Sequence, residues 1–153
     1  MTQKDKELLL KDLSARLSYG VKLKHIPSGE NTTLEMISCL SIDGNIHDLI
    51  ENFRPYLRPM SSMTKEEKED LLITLLGKND IKYFKVLQDG SIDNNDATHQ
   101  DLSNFNIHWI NFDGVNASTY IDWLNKNKFD YRGLIPKGLA LEVTNENNPY
   151  KET

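Results

Sequence analysis

The sequence predicts an α+β fold: one compact domain in which a mainly antiparallel sheet of about five strands packs on about three helices. Three observations carry this. Leucines recur at three- and four-residue spacing near Leu10 and near Leu72, and a cluster at Tyr120–Leu124 repeats that spacing later in the chain. Between these stretches, apolar and polar residues alternate with the period of a half-buried strand. Gly, Pro, Asn and Asp gather at the joints. A chain of 153 residues, 38% of them hydrophobic, suffices for one domain with a modest core. That domain is expected over residues 1–144, with 145–153 as a disordered tail.

The first helix is expected over Lys4–Leu17. Leu9, Leu10, Leu13 and Leu17 form its apolar stripe, and Lys4, Asp5, Lys6, Glu7, Lys11 and Asp12 are assigned to solvated faces. Gly20 stops it. Val21, Leu23 and His25 then alternate with Lys22 and Lys24, and Pro27–Asn31 supplies turn chemistry, so a hairpin follows. Its second strand is expected over Thr32–Ile42, with Cys39 inside it, and a short third strand near Asn45–Leu49. Pro55 and Pro59 mark Phe53–Met63 as loop, because each removes a backbone donor and restricts the residue before it. Thr64–Glu67 has the spacing of a capping box, and Leu71, Leu72, Leu75 and Leu76 give the stripe of a second helix that ends at Gly77. Ile81–Gln88 reads as a strand, Asp89–Asn104 as a polar loop and Phe105–Ile110 as another strand. The last helix is expected over Ala117–Asn127 with Asn116 as its cap, and Leu139–Val143 adds an edge strand.

Charge narrows the function classes. Eighteen Lys and Arg stand against 23 Asp and Glu, a net −5 with a pI near 5.3, which does not support a phosphate-binding face for nucleic acid. No apolar run is long enough to span a membrane, and the charged N-terminal residues argue against a secretory signal. A single cysteine, Cys39, excludes an internal disulfide and a multi-cysteine zinc site, so a reducing, cytoplasmic location is expected. Between Lys85 and Lys126 there is no Lys or Arg, while Asp89, Asp93, Asp96, Asp101, Asp113 and Asp122 all fall there. The stretch reads either as a solvated face or as an acidic surface offered to a basic protein partner.

Motifs for catalysis are missing. His25, His47, His99 and His108 form no H-x-H, HExxH or H-x₃-H pattern, so no local metal clip is encoded. His47–Asp48 reads as a surface pair before an acid–base pair, and Cys39, inside a strand, as a buried thiol before a nucleophile. Asp89, Ser91, Asp93 and Asn95 have the odd-position spacing of a calcium loop, yet Asn94 stands where the turn glycine is needed and Gln100 where the bidentate Glu belongs. Neither a phosphate-cradling glycine loop nor a G-x-S-x-G elbow occurs. No catalytic residue, metal or cofactor is therefore assigned.

Three blocks are distinctive: Glu7–Val21 (ELLLKDLSARLSYGV), Pro55–Thr64 (PYLRPMSSMT) and Phe129–Glu142 (FDYRGLIPKGLALE). In content and order they resemble a group of short uncharacterised proteins of Bacteroidales-type gut bacteria, their phages and mobile elements. The resemblance implies a phage or mobile-element accessory protein and supplies no catalytic residues. Two of the blocks set a tyrosine close to an arginine, Tyr56 with Arg58 and Tyr131 with Arg132, within segments stiffened or turned by Pro55, Pro59, Gly133 and Pro136. A planar guanidinium beside a rigid amphipathic ring suits recognition, so these four residues are the expected partner contacts, provided that the two blocks meet in space. The leading expectation is a protein acting by protein–protein interaction, as an inhibitor or modulator. The alternatives are a small hydrolase with a distributed carboxylate or histidine site and a self-associating structural module.

Overall fold

The computed structural model describes residues 1–35, 46–78, 81–94 and 115–151. Among these the fold is α+β. Its helices are α1 (Gln3–Ala15), α2 (Ile46–Asn52), α3 (Lys65–Leu76) and α4 (Val115–Lys126). Its strands are β1 (Lys22–His25), β2 (Asn31–Thr33), β3 (Phe53–Leu57), β4 (Phe84–Val86), β5 (Ile92–Asn94) and β6 (Leu141–Glu142). Contacts divide the chain into two compact units, Met1–Pro59 with Asn125–Thr153, and Met60–Leu124. Cys39 and the rest of residues 36–42 of the expected second strand, the expected strand Phe105–Ile110, and Asp96, Asp101 and Asp113 lie outside the described residues.

The first unit is built on a four-stranded sheet in the order β2-β1-β3-β6. Thr2 starts α1 with a capping box: its hydroxyl accepts from the Asp5 N–H, and the Asp5 carboxylate accepts from the Thr2 N–H. The helix buries Leu9, Asp12 and Leu13, and its C-cap Arg16 is buried too. Asp12, expected on a wet face, is thus in the apolar stripe, three residues from Leu9 and four from Arg16.

Strand β3 corrects the loop expected at Phe53–Met63. It lies between β1, antiparallel, and β6, parallel. Register explains how a proline is tolerated there. The Ile26 N–H donates to the Asn52 carbonyl, so Lys24 and Arg54 form the next hydrogen-bonded pair, while Leu23 and Pro55 face each other without exchanging bonds. The missing N–H of Pro55 therefore points away from β1, and the ladder with β6 begins only at Tyr56. The third strand expected near Asn45–Leu49 is instead α2. Leu49 and Ile50 are adjacent and both buried, which one helix face accommodates and a half-buried strand does not. Leu9, Leu13, Val21, Leu23, Leu34, Leu49 and Ile50 form one core cluster, and Leu57, Leu134, Leu139 and Ala140 another.

Within the C-terminal segment, Tyr150 makes two contacts to the sheet. Tyr150 accepts a hydrogen bond from the Lys22 N–H at 3.1 Å and donates one to the Tyr56 carbonyl at 2.8 Å, joining β1 and β3. Burial pushes its phenol from 10.0 up to about 12. A phenol raised in the folded state stabilises the fold while it is neutral. That contribution is complete below pH 10.0 and is lost as the pH rises towards about 12. Tyr150→Phe is expected to cost about 1–2 kcal/mol at neutral pH through its lost hydrogen bonds. It should also flatten the alkaline fall in stability, read by urea melts across that window, leaving the share of Tyr120, whose phenol burial likewise raises to about 12.

In the second unit, the expected Thr64–Glu67 capping box opens α3, whose Leu71 and Leu72 are buried. The strand expected over Ile81–Gln88 is shorter: a 3₁₀ turn at Ile81–Tyr83 precedes β4, where Phe84 and Val86 are buried and Lys85 is exposed. The start of the expected polar loop is β5, paired antiparallel with β4. Helix α4 begins at Val115, so Asn116 lies inside it rather than at its cap. Tyr120 donates to the Gly90 carbonyl at 2.7 Å, and the Trp123 indole donates to Asp70 at 2.8 Å.

Candidate functional site

The Phe129–Arg132 segment is where the three distinctive blocks meet. The chain leaves α4 through Lys128, which takes the left-handed region at φ 62°. Its carbonyl accepts from the Arg58 N–H at 2.8 Å, and the Asp130 N–H donates to the Arg58 carbonyl at 2.7 Å. Arg58 and Phe129 thus form a parallel bridge just beyond β3. The next turn is set by Asp130, whose two carboxylate oxygens accept from the Leu134 and Ile135 N–H groups, both at 2.8 Å. Gly133, at φ 68°, supplies the left-handed residue this turn requires.

Arg16 reaches this segment from the end of α1. Its Nε donates to Asp12 Oδ2 at 2.7 Å, and its Nη2 donates to Asp12 Oδ1 at 3.1 Å and to the Phe129 carbonyl at 2.8 Å. Both side chains of this ion pair are completely buried. Arg132 approaches the same carboxylate, with Nε 3.3 Å from Asp12 Oδ1 and a side chain 18% exposed. The Tyr131 ring neighbours both arginines, its centroid 5.3 Å from the Arg16 guanidinium carbon and 4.8 Å from that of Arg132. The Arg58 guanidinium stacks on Phe129 at 4.4 Å. Three of the chain's four arginines therefore gather around residues 129–132.

The polar inventory of this centre is incomplete. Among the described residues, the buried side-chain atoms without a hydrogen-bond partner are Arg16 Nη1, Asn125 Oδ1, Tyr131 Oη and Arg132 Nε. All four belong to Arg16 or to the segment from Asn125 to Arg132. Lys128 adds to the positive field. Its ammonium is pushed down first by burial and then by the charges of Arg16 and Lys126.

Of the four expected partner contacts, the structure brings Arg58, Tyr131 and Arg132 together around one segment, half-buried. Tyr56 is different: it is buried in the sheet, and its hydroxyl donates to Asn31 Oδ1 at 3.2 Å. Asp12, Arg16 and Phe129 were not expected here. The signal for the first two was the stripe itself, since Leu9, Asp12, Leu13 and Arg16 share helical spacing. Of the expected acidic surface, Asp89 and Asp93 are exposed, and Asp96 and Asp101 lie outside the described residues. Asp89 is engaged locally: its carboxylate accepts from the Ser91 hydroxyl and N–H, which hold it below the usual carboxylate range. Asp93 pairs with Lys85 at 3.7 Å. Among the described residues no group of three or more His, Cys, Asp or Glu is placed to hold a metal ion, and no helix is long and apolar enough to cross a membrane. No protein-family model, curated protein or solved structure matches the chain.

Proposed function

We propose that this protein acts by protein–protein interaction, as an inhibitor or modulator carried by a phage or mobile element, and that its contact surface is the rim of the Phe129–Arg132 segment. One observation supports the reading above the others. Arg58 and Arg132, each half-buried, lie against the rings of Phe129 and Tyr131, two residues apart on one segment. Stacking on a ring restrains a guanidinium before a partner arrives, which lowers the ordering cost of binding, and arginine and tyrosine are enriched among residues that dominate interface energetics. The mobile-element origin rests on the resemblance of the three blocks. The alternative of a hydrolase gains nothing from this centre, because its carboxylates are occupied by arginines and backbone amides.

The test is affinity capture from the bacterial host with the wild-type chain and with Arg58→Ala as baits. The variant is expected to keep its fold, losing about 0.5–1 kcal/mol of cation–π stabilisation. It should retain at least tenfold less of the partner identified by mass spectrometry. Equal recovery on both baits removes this rim from the interaction. A chain that sediments as a stable oligomer and captures nothing else supports the self-associating alternative.

A further inference from the structure

We propose that the Asp12–Arg16–Tyr131–Arg132 centre binds one small oxyanion, a carboxylate or phosphate group. The site stands whether or not the interaction reading does.

A guanidinium has five N–H groups in a fixed fork. Arg16 places one on Asp12 through Nε and two through Nη2, on Asp12 and the Phe129 carbonyl. The pair on Nη1 has no partner, although the side chain is completely buried. Arg132 Nε comes within 3.3 Å of Asp12 without completing a hydrogen bond, and the buried Tyr131 hydroxyl is also unmatched. Native interiors pair such groups almost without exception, because an unmatched buried donor forfeits its hydration. Three of the four unmatched atoms can donate, the Asn125 amide oxygen being the exception, so what is missing is rich in acceptors.

Charge points the same way. Two guanidiniums share the single carboxylate of Asp12. Asp130, held by two backbone amides, keeps its charge, and Lys128 adds a third cation beside Arg16, so cations outnumber carboxylates three to two around this centre. Water would satisfy the donors and leave the excess positive charge buried, which is costly. An oxyanion answers both deficits, and guanidinium forks match its geometry. The centre comes nearest the surface on the Arg132 side, where the side chain is 18% exposed and Tyr131 is half-buried. The oxyanion has two sources, a free ion or an acidic group of a protein partner, and the chemistry is the same.

The experiment titrates the full chain with inorganic phosphate, and separately with acetate, at ionic strength held constant with sodium chloride. Tm and calorimetric heat are both recorded. A saturable rise in Tm with at least one of the two anions is expected, since a ligand of the native state stabilises by mass action. Arg132→Gln leaves Asp12 and Arg16 as a matched pair, so it should fold and lose the rise by at least tenfold in apparent Kd. Tyr131→Phe, which removes one hydroxyl, should weaken binding about tenfold. A response no larger than that in chloride alone, or one that both variants retain, overturns the site. Repeating the partner capture in saturating phosphate assigns the source. Loss of the partner points to its acidic group, and unchanged capture points to a free ion. If no partner is captured at all, the interaction reading falls and the titration still decides the site.

Discussion

Asp12→Ala is expected to destabilise the first unit by about 3–5 kcal/mol, the range for removing one member of a buried ion pair. The side chain is small and the helix tolerates alanine well, so the loss comes from charge rather than from packing or propensity. Two guanidiniums would be left with no carboxylate, one of them completely buried. Arg16→Met should cost less, because Asp12 keeps Arg132 as a partner and the apolar stem is preserved. Urea denaturation followed by far-UV circular dichroism ranks the two variants. If Arg16→Met is the more damaging, the Phe129 carbonyl contact outweighs the charge balance, and Asp12 is not the organising group.

Phe129→Ala should be comparably severe, about 3–5 kcal/mol, as for other buried aromatic truncations. The ring has no exposed surface, and it is also the platform under Arg58. Phe129→Leu keeps most of the apolar volume and should recover a large part of the loss, while still removing the stacking surface. Thermal melts of the two variants separate core volume from stacking. Equal destabilisation by alanine and leucine would assign the effect to Arg58, and a near-complete rescue by leucine would assign it to the core.

Local signals in the sequence were legible where one physical rule acted alone. The Thr64–Glu67 capping box, the Leu71–Leu72 stripe and the Val21–His25 alternation each depend on neighbours within a few residues, and each is where the sequence places it. Errors arose where tertiary context chose between rules. Pro55 reads as loop by its missing donor, yet register aims that position away from β1. Isoleucine and leucine in Ile46–Asn52 fit either a short strand or a helical turn, and burial of the adjacent Leu49 and Ile50 selects the helix. Tyr150 carries no local signal for its two hydrogen bonds, because its partners are 128 and 94 residues away. The candidate site was half legible. Arg58, Tyr131 and Arg132 were singled out for residue type and turn context. Asp12 and Arg16 were not, because charged residues in a leucine stripe are ordinarily read as its wet edge.

The division of the chain also has a consequence for biosynthesis. The first unit is assembled from Met1–Pro59 and from Asn125–Thr153, with the whole second unit translated in between. Strand β3 leaves the ribosome well before β6, its parallel neighbour, and Arg16 well before the carbonyl of Phe129. At bacterial elongation rates of about 5–20 residues per second, the interval is about 5–20 s. Through that interval one edge of β3 is unpaired, and the Arg16 guanidinium lacks its distant acceptor. Closure across an intervening segment of this length also makes these contacts non-local, which slows folding once synthesis is complete. The second unit, continuous in sequence, has all its partners first. The second unit is thus the first to have its whole sequence available, and a nascent chain that has emerged from the ribosome only as far as Leu124 would present all of the second unit while the first still lacks β6, Phe129 and Tyr150.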